Sequence, residues 1–202
     1  VSAGSGHTCG LATDNRAYCW GWNDRGALGD GSDRALARRP VAVAGDRRYQ
    51  DISAGDTYSC AVTRSDRAFC WGFNHLGQLG DGSRVEERHT PSRVAGALSF
   101  LTVDAGGTHT CGVTLTHKAY CWGLNEFGDV GDNTTTPRRA PVAVAGGRLF
   151  THVAAGDRHS CGVITAADAF CWGWNLYGQL GDGTRIDRQV PVKVIGGLAF
   201  TQ

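Results

Sequence analysis

Apolar and polar positions along the chain follow no helical spacing. Residues 7–23, HTCGLATDNRAYCWGWN, fall instead into two runs of strand-forming residues separated by the turn-like TDN, which reads as a hairpin. If TDN is the hairpin loop, Leu11 faces Ala17, Gly10 faces Tyr18 and Cys9 faces Cys19. Alternation then places His7, Cys9, Leu11, Ala17, Cys19 and Gly21 on one face, and Thr8, Gly10, Ala12, Tyr18, Trp20 and Trp22 on the other. One face is small, the other bulky and neither is polar, so both call for neighbouring sheets. The last loop position needs a residue tolerant of positive φ. Asn15, Asp66 and His117 meet that demand better than Ala167, so the fourth turn is expected to be built differently.

The pattern returns as YSCAVTRSDRAFCWGFN from Tyr58, HTCGVTLTHKAYCWGLN from His109 and HSCGVITAADAFCWGWN from His159. Cys9, Cys60 and Cys111 are 51 positions apart and Cys161 follows after 50, so four units account for all 202 residues. Each unit opens on a small-residue run (VSAG, ISAG, VDAG, VAAG) that reads as a short strand. Behind the hairpin comes a segment dense in Gly, Asn and Asp, such as GWNDRGALGDGS, which signals successive turns. A variable loop follows, and then a proline-led strand such as RPVAVAG or VPVKVIG, suited to a sheet edge. Four short strands per unit predict an all-β fold: a β-propeller of four repeats of about 51 residues, each a four-stranded antiparallel blade. The units 1–51, 52–102, 103–152 and 153–202 would form one repeat domain, able to sit within a larger propeller.

Taken together, SAG, HTCGL, CWGWN, GALGDGS and PVAVAG resemble the regulator-of-chromosome-condensation repeat family, most closely in NHLGQLGDGS (74–83) and NLYGQLGDGT (175–184). The resemblance recurs in all four units. It implies the propeller and says little about function, because such scaffolds include a nuclear guanine-nucleotide exchange factor, a secreted bacterial β-lactamase inhibitor and a plant ultraviolet photoreceptor. The family is generally a closed ring of about seven blades, against four repeats here. The photoreceptor's GWRHT segment is missing, since Gly6 precedes His7 and Thr108 precedes His109. Paired cysteines stand where intracellular relatives usually carry aliphatic or small residues, as in a secreted bacterial-type member.

Composition narrows this picture. Twenty Lys+Arg against 19 Asp+Glu give a net charge of +1, so there is no specific nucleic-acid signal and no footprint for an anionic membrane. No apolar run approaches the ~20 residues of a membrane span, so no membrane insertion is expected. The absence of methionine points to a chain that is processed, excised or part of something longer.

The eight cysteines form four pairs at C-x9-C spacing, which matches neither zinc ligation nor a redox C-x-x-C. Cross-strand disulfides and buried thiols both remain open. Strict pairing without an odd cysteine favours the disulfides Cys9–Cys19, Cys60–Cys70, Cys111–Cys121 and Cys161–Cys171, and hence a secreted, periplasmic or cell-surface location. His7, His109 and His159 share a repeat position that could converge on a metal. Tyr58 in the same position favours a strand-start residue bonded to neighbouring backbone. Asp30, Asp81, Asp132 and Asp182 each stand alone in their GD turns, which fits an Asx turn better than calcium. Neither a metal nor another cofactor is expected, and no catalytic triad or phosphate-cradling motif stands out, so the reading is non-catalytic.

Trp20, Trp71, Trp122 and Trp172 read as core, whereas Trp22 and Trp174 alternate with Phe73 and Leu124 and belong nearer an edge. Recognition is expected in the variable loops 33–39, 84–90, 133–139 and 184–189, crowded on one rim. Arg38, Arg39, Arg138 and Arg139 are the candidate contacts for a protein or anionic macromolecular partner, and Trp22 and Trp174 for an aromatic platform. The main reading is an extracellular recognition scaffold. The alternatives are a guanine-nucleotide exchange factor-like regulator of a small GTPase and a carbohydrate-binding propeller. Open arcs would also expose apolar faces, so self-association into rings or filaments is expected.

Overall fold

The structure is a computed structural model describing residues 1–201. Four antiparallel sheets follow one another in chain order, each in simple meander topology. The first blade is β1 (Ser2–Ala3), β2 (His7–Leu11), β3 (Ala17–Trp22) and β4 (Leu36–Ala42). The second is β5 (Tyr49–Ala54), β6 (Tyr58–Thr63), β7 (Ala68–Phe73) and β8 (Glu87–Arg93). The third is β9 (Phe100–Ala105), β10 (His109–Thr114), β11 (Ala119–Gly123) and β12 (Arg138–Ala143). The fourth is β13 (Phe150–Ala155), β14 (His159–Ile164), β15 (Ala169–Gly173) and β16 (Arg188–Lys193).

The hairpin registers are those the alternation predicts. Cys9 pairs with Cys19, Gly10 with Tyr18 and Leu11 with Ala17, and the other three hairpins repeat the arrangement. Each opposed cysteine pair is a disulfide, and none is free. Two expectations are corrected. Ala167 adopts φ 64°, like Asn15, Asp66 and His117, and its N–H donates to Ile164 O at 2.9 Å as Asn15 N–H donates to Ala12 O. The fourth turn is therefore built like the others, and the ladder on either side holds alanine in a region it does not favour. The outer strands also start earlier than the proline-led segments suggest. Pro40 sits inside β4, and a register shift after Cys19 brings Gly21 opposite Ala37. Residues 36–39, 87–90, 138–139 and 188–189, expected in loops, thus belong to β4, β8, β12 and β16. An edge strand accepts proline because the missing N–H faces no partner.

Blades join by one recurring device. Trp71, Trp122 and Trp172 are fully buried, and each indole enters the preceding blade. Their Nε1–H groups donate to Ala27 O at 2.9 Å, Gln78 O at 2.9 Å and Asp129 O at 3.0 Å. A Cβ on Gly29, Gly80 or Gly131 would lie 2.5, 2.5 or 2.7 Å from the indole, so these glycines admit the ring. Beside each tryptophan sits the aromatic that opens its blade: Tyr49, Phe100 or Phe150. The core is accordingly three clusters between blades. Inner strands are tied likewise, with Ala54, Ala105 and Ala155 N–H donating to Ser2 Oγ, Ser53 Oγ and Asp104 Oδ2 of the blade before.

Candidate functional site on the loop face

In every blade the turn after the inner strand and the long loop after the third strand leave from the same end. Backbone bonds tie the two, from Trp22 N–H to Gly6 O at 2.8 Å and from Trp174 N–H to Arg158 O at 2.9 Å. One face of the molecule therefore carries all four long loops. Each is wound on a buried asparagine: Asn23, Asn74, Asn125 or Asn175. The asparagine Oδ1 accepts the N–H of Leu28, Leu79, Val130 or Leu180, and its Nδ2 donates to carbonyls across the loop. Sequence reasoning passes over these asparagines of the repeated WGxN as the loop's anchor; their fixed place amid varying neighbours is the signal that could have found them.

The GD turns are Asx turns. Asp30, Asp81, Asp132 and Asp182 accept the backbone N–H two residues on. Their second oxygens hold Arg34, Arg88, Arg138 and Arg188, at 3.2, 3.1, 2.6 and 2.7 Å. Burial alone would raise the Asp132 carboxyl, but Thr134 and Arg138 outweigh it and hold the group below its ordinary value. The same balance brings Asp182 to about 2. Among the described residues no cluster of three or more His, Cys, Asp or Glu is disposed for a metal.

The candidate arginines divide. Arg138 is committed to Asp132, and Arg139 donates to Ser83 O at 3.2 Å and His75 O at 3.0 Å in the preceding blade. Arg38 and Arg39 are exposed on β4. Trp22 is exposed, whereas Trp174 packs against Phe127 and Tyr177 at centroid distances of 6.0 and 5.3 Å. Arg158 lies over Phe127 and Arg25 over Phe73, so aromatic and cationic groups alternate along this face. At the repeat position expected to bond neighbouring backbone, Tyr58 does so, its hydroxyl donating to His109 O at 2.6 Å, while two of the histidines reach side chains of the following blade. His7 and His109 share hydrogen bonds of 2.7 Å with Ser59 and Ser160 of the following blade. Burial lowers both imidazoles to about 4.

A sequence profile for the regulator of chromosome condensation (RCC1) repeat matches residues 65–113, 117–163 and 168–202. A second profile of the same repeat matches 1–27, 49–78, 100–129 and 150–179. The chain belongs to the RCC1 repeat family. Among relatives, it is 34% identical over 135 residues to the ultraviolet-B receptor UVR8 of Arabidopsis thaliana, covering 65% of this chain and 30% of that protein. The fold of Prp20p from Saccharomyces cerevisiae superposes with a TM-score of 0.85 at 22% identity, over 97% of this chain and 50% of that one. Human WBSCR16 gives 0.85 at 19% identity, over 96% and 52%. This RCC1-repeat chain thus spans about half of the solved relatives and under a third of UVR8. At these identities the solved structures speak for the fold alone. Four disulfides in such a chain suggest an oxidising compartment, and no described helix is long and apolar enough to cross a membrane.

Proposed function

We propose that this RCC1-repeat propeller is a non-catalytic recognition scaffold of an extracytoplasmic compartment, taking a protein or anionic macromolecular partner on its loop face. One observation carries the reading: each of the four loops is wound on a buried asparagine and an Asx-turn aspartate, while the solvent-facing tips differ. At corresponding tips stand Arg84, Val85 and Glu86 in the second loop, Thr135, Thr136 and Pro137 in the third, and Arg185, Ile186 and Asp187 in the fourth, all exposed. A constant frame with changing tips is how repeat scaffolds carry specificity.

The charge of this face supports an anionic partner through a different arginine set from the one the sequence suggests. Arginines that recur beside the GD turn are neutralised by its aspartate. Arg39, Arg84 and Arg185 are exposed, and no ion pair holds them among the described residues. Guanidinium groups in that state remain available to carboxylates or phosphates. Prp20p has binding properties toward Gsp1p and histones. An intracellular exchange-factor role, by contrast, would place this chain where its disulfides are reduced, which disfavours it.

Retention on an immobilised polyanion, heparin, tests the reading. Replacing Arg39, Arg84 and Arg185 by Ala together should lower the eluting salt concentration while leaving the melting temperature unchanged. Replacing Arg138 and Arg139 should lower the melting temperature instead. Elution unchanged by the triple replacement, or lost only when Trp22 and Trp174 are replaced, overturns the anionic reading in favour of an aromatic platform for carbohydrate.

A further inference from the structure

Tyr49, Phe100 and Phe150 hold one repeat position, and each packs beside the buried tryptophan of its junction. Of the three, only Tyr49 brings a hydroxyl. The residue is 2% exposed, and that hydroxyl has no hydrogen-bond partner among the described residues. Phenylalanine does the same packing at the next two junctions, so the apolar cluster does not account for the oxygen. A buried hydroxyl left unsatisfied works against the fold.

Tyr49 lines a pocket of about 100 Å³ where the first two blades meet, with Ala17, Val43, Gly45, Arg16, Asp46 and Arg47. The Tyr49 N–H donates to Asn15 O in the hairpin turn, so the pocket lies at the end of the molecule away from the long loops. Ala17 and Val43 are buried, Arg47 is half-buried, and Arg16, Gly45 and Asp46 are exposed at the rim. Asp46 is already engaged, by Arg48 at 3.1 Å and Arg16 at 3.3 Å. The hydrogen bond from Arg48, with the charges of both arginines, holds its carboxyl below the ordinary value.

No ion pair holds Arg47 among the described residues. Its guanidinium lies 4.4 Å from the centroid of the Phe69 ring and folds back over Gly45, where a Cβ would stand 2.5 Å from Nη1. Arg148 stands over Phe170 and against Gly146 in the same way, beside Phe150. Stacking thus explains the arginine, and the hydroxyl facing it in the first junction is the departure. Arg47 acts on the Tyr49 phenol, but a guanidinium carries donors alone, so the phenol proton still lacks an acceptor. Burial raises the phenol above its ordinary value against the pull of Arg47, so the proton stays in place.

We propose that this pocket binds a carboxylate, whose oxygens accept from the Tyr49 hydroxyl and the Arg47 guanidinium. An acceptor is wanted beside an unpaired cation, which selects an anion. Arg16 and Arg47 against Asp46 leave the lining with a single positive charge, which a monoanion balances and a phosphate dianion exceeds. The buried alanine and valine walls suit the carbon that carries the carboxylate, and the volume suits one small group. The pocket is built from residues of one internal junction and does not rest on the reading given to the loop face.

Titration of the 202-residue chain with sodium acetate at constant ionic strength, followed by amide NMR shifts, tests the proposal. The amides of Gly45, Arg47 and Tyr49 should move saturably. Tyr49→Phe should weaken binding about tenfold, the loss expected for one hydrogen bond to a charged group. Arg47→Leu should remove it. Both replacements import side chains that the next blade carries at these positions, in Phe100 and Leu98, so the fold should tolerate them. A blocked glutamyl peptide that binds more tightly than acetate would make the ligand a partner's side chain, and acetate binding alone would make it a free acid; either supports the site. Acetate that moves none of these amides, Tyr49→Phe that binds as the wild type does, or phosphate that binds more tightly than acetate overturns the proposal. So does a Tyr49→Phe chain that melts well below the wild type without acetate, since the hydroxyl would then already be satisfied.

Discussion

At the scale of single residues, Asp129 is the departure with the largest consequence. Gln78 and Gln179 occupy its repeat position and accept the N–H two residues back, from Leu76 and Tyr177. Asp129 accepts the Phe127 N–H through one oxygen, but the other has no partner within a fully buried site. Burial raises its carboxyl to about 6. The group therefore stays neutral in the fold up to about pH 6, well above the range in which it ionises in the unfolded chain. Its contribution is complete below the unfolded value near 3.8 and is lost as pH rises through 6. A shift of this size corresponds to about 3 kcal/mol. Asp129→Gln should recover up to that amount at pH 8 and almost nothing at pH 3.5, measured by urea unfolding at the two pH values. An equal gain at both would show that packing rather than ionisation is at stake. The sequence displayed Asp in place of Gln, yet it could not show that the position was dry. Nor could it show that Ala167 would be forced into the conformation that Asn15 takes willingly, because that force comes from the ladder around it.

At the scale of the element, the hairpin was legible down to its register. Side-chain alternation, loop length and opposed cysteines each demand the same pairing, and that agreement makes a local reading reliable. The outer strand was less legible because its partners lie across an irregular register, and its first residues carry arginines that look like loop residues until the pairing is seen. The hairpin disulfides close ten-residue separations, and each restrains the unfolded chain by about 3 kcal/mol in the chain-entropy account. Intact mass under denaturing conditions should rise by eight hydrogens on reduction, and the urea midpoint of the reduced chain should fall well below that of the oxidised chain. Reduction without change in mass would contradict the pairing. The cysteines are nearly all fully buried, so reduction should require denaturant or a long incubation.

At the scale of the whole molecule, stability lies between blades, since the clusters that make up the core each straddle a junction. Such an array behaves as a row of units coupled to nearest neighbours. Trp122→Ala removes the indole that locks the third blade to the second, and it should cost about 3–5 kcal/mol. Because it cuts the row in the middle, thermal unfolding should broaden or divide into two steps. A single sharp transition at a lower temperature would instead mean that the blades fold as one unit. The repeat count and blade architecture could be read from the sequence because each repeat states them again. The partner of each tryptophan could not, since alternation gives the face of a strand and not which neighbour lies against it. The direction of those contacts sets an order for synthesis. Every internal indole reaches back into a blade made before it, to Ala27, Gln78 or Asp129. As the chain leaves the ribosome from its N-terminal end, each slot is complete before its tryptophan emerges, and the tail of the nascent chain always offers a receptacle rather than a bare ring in search of one.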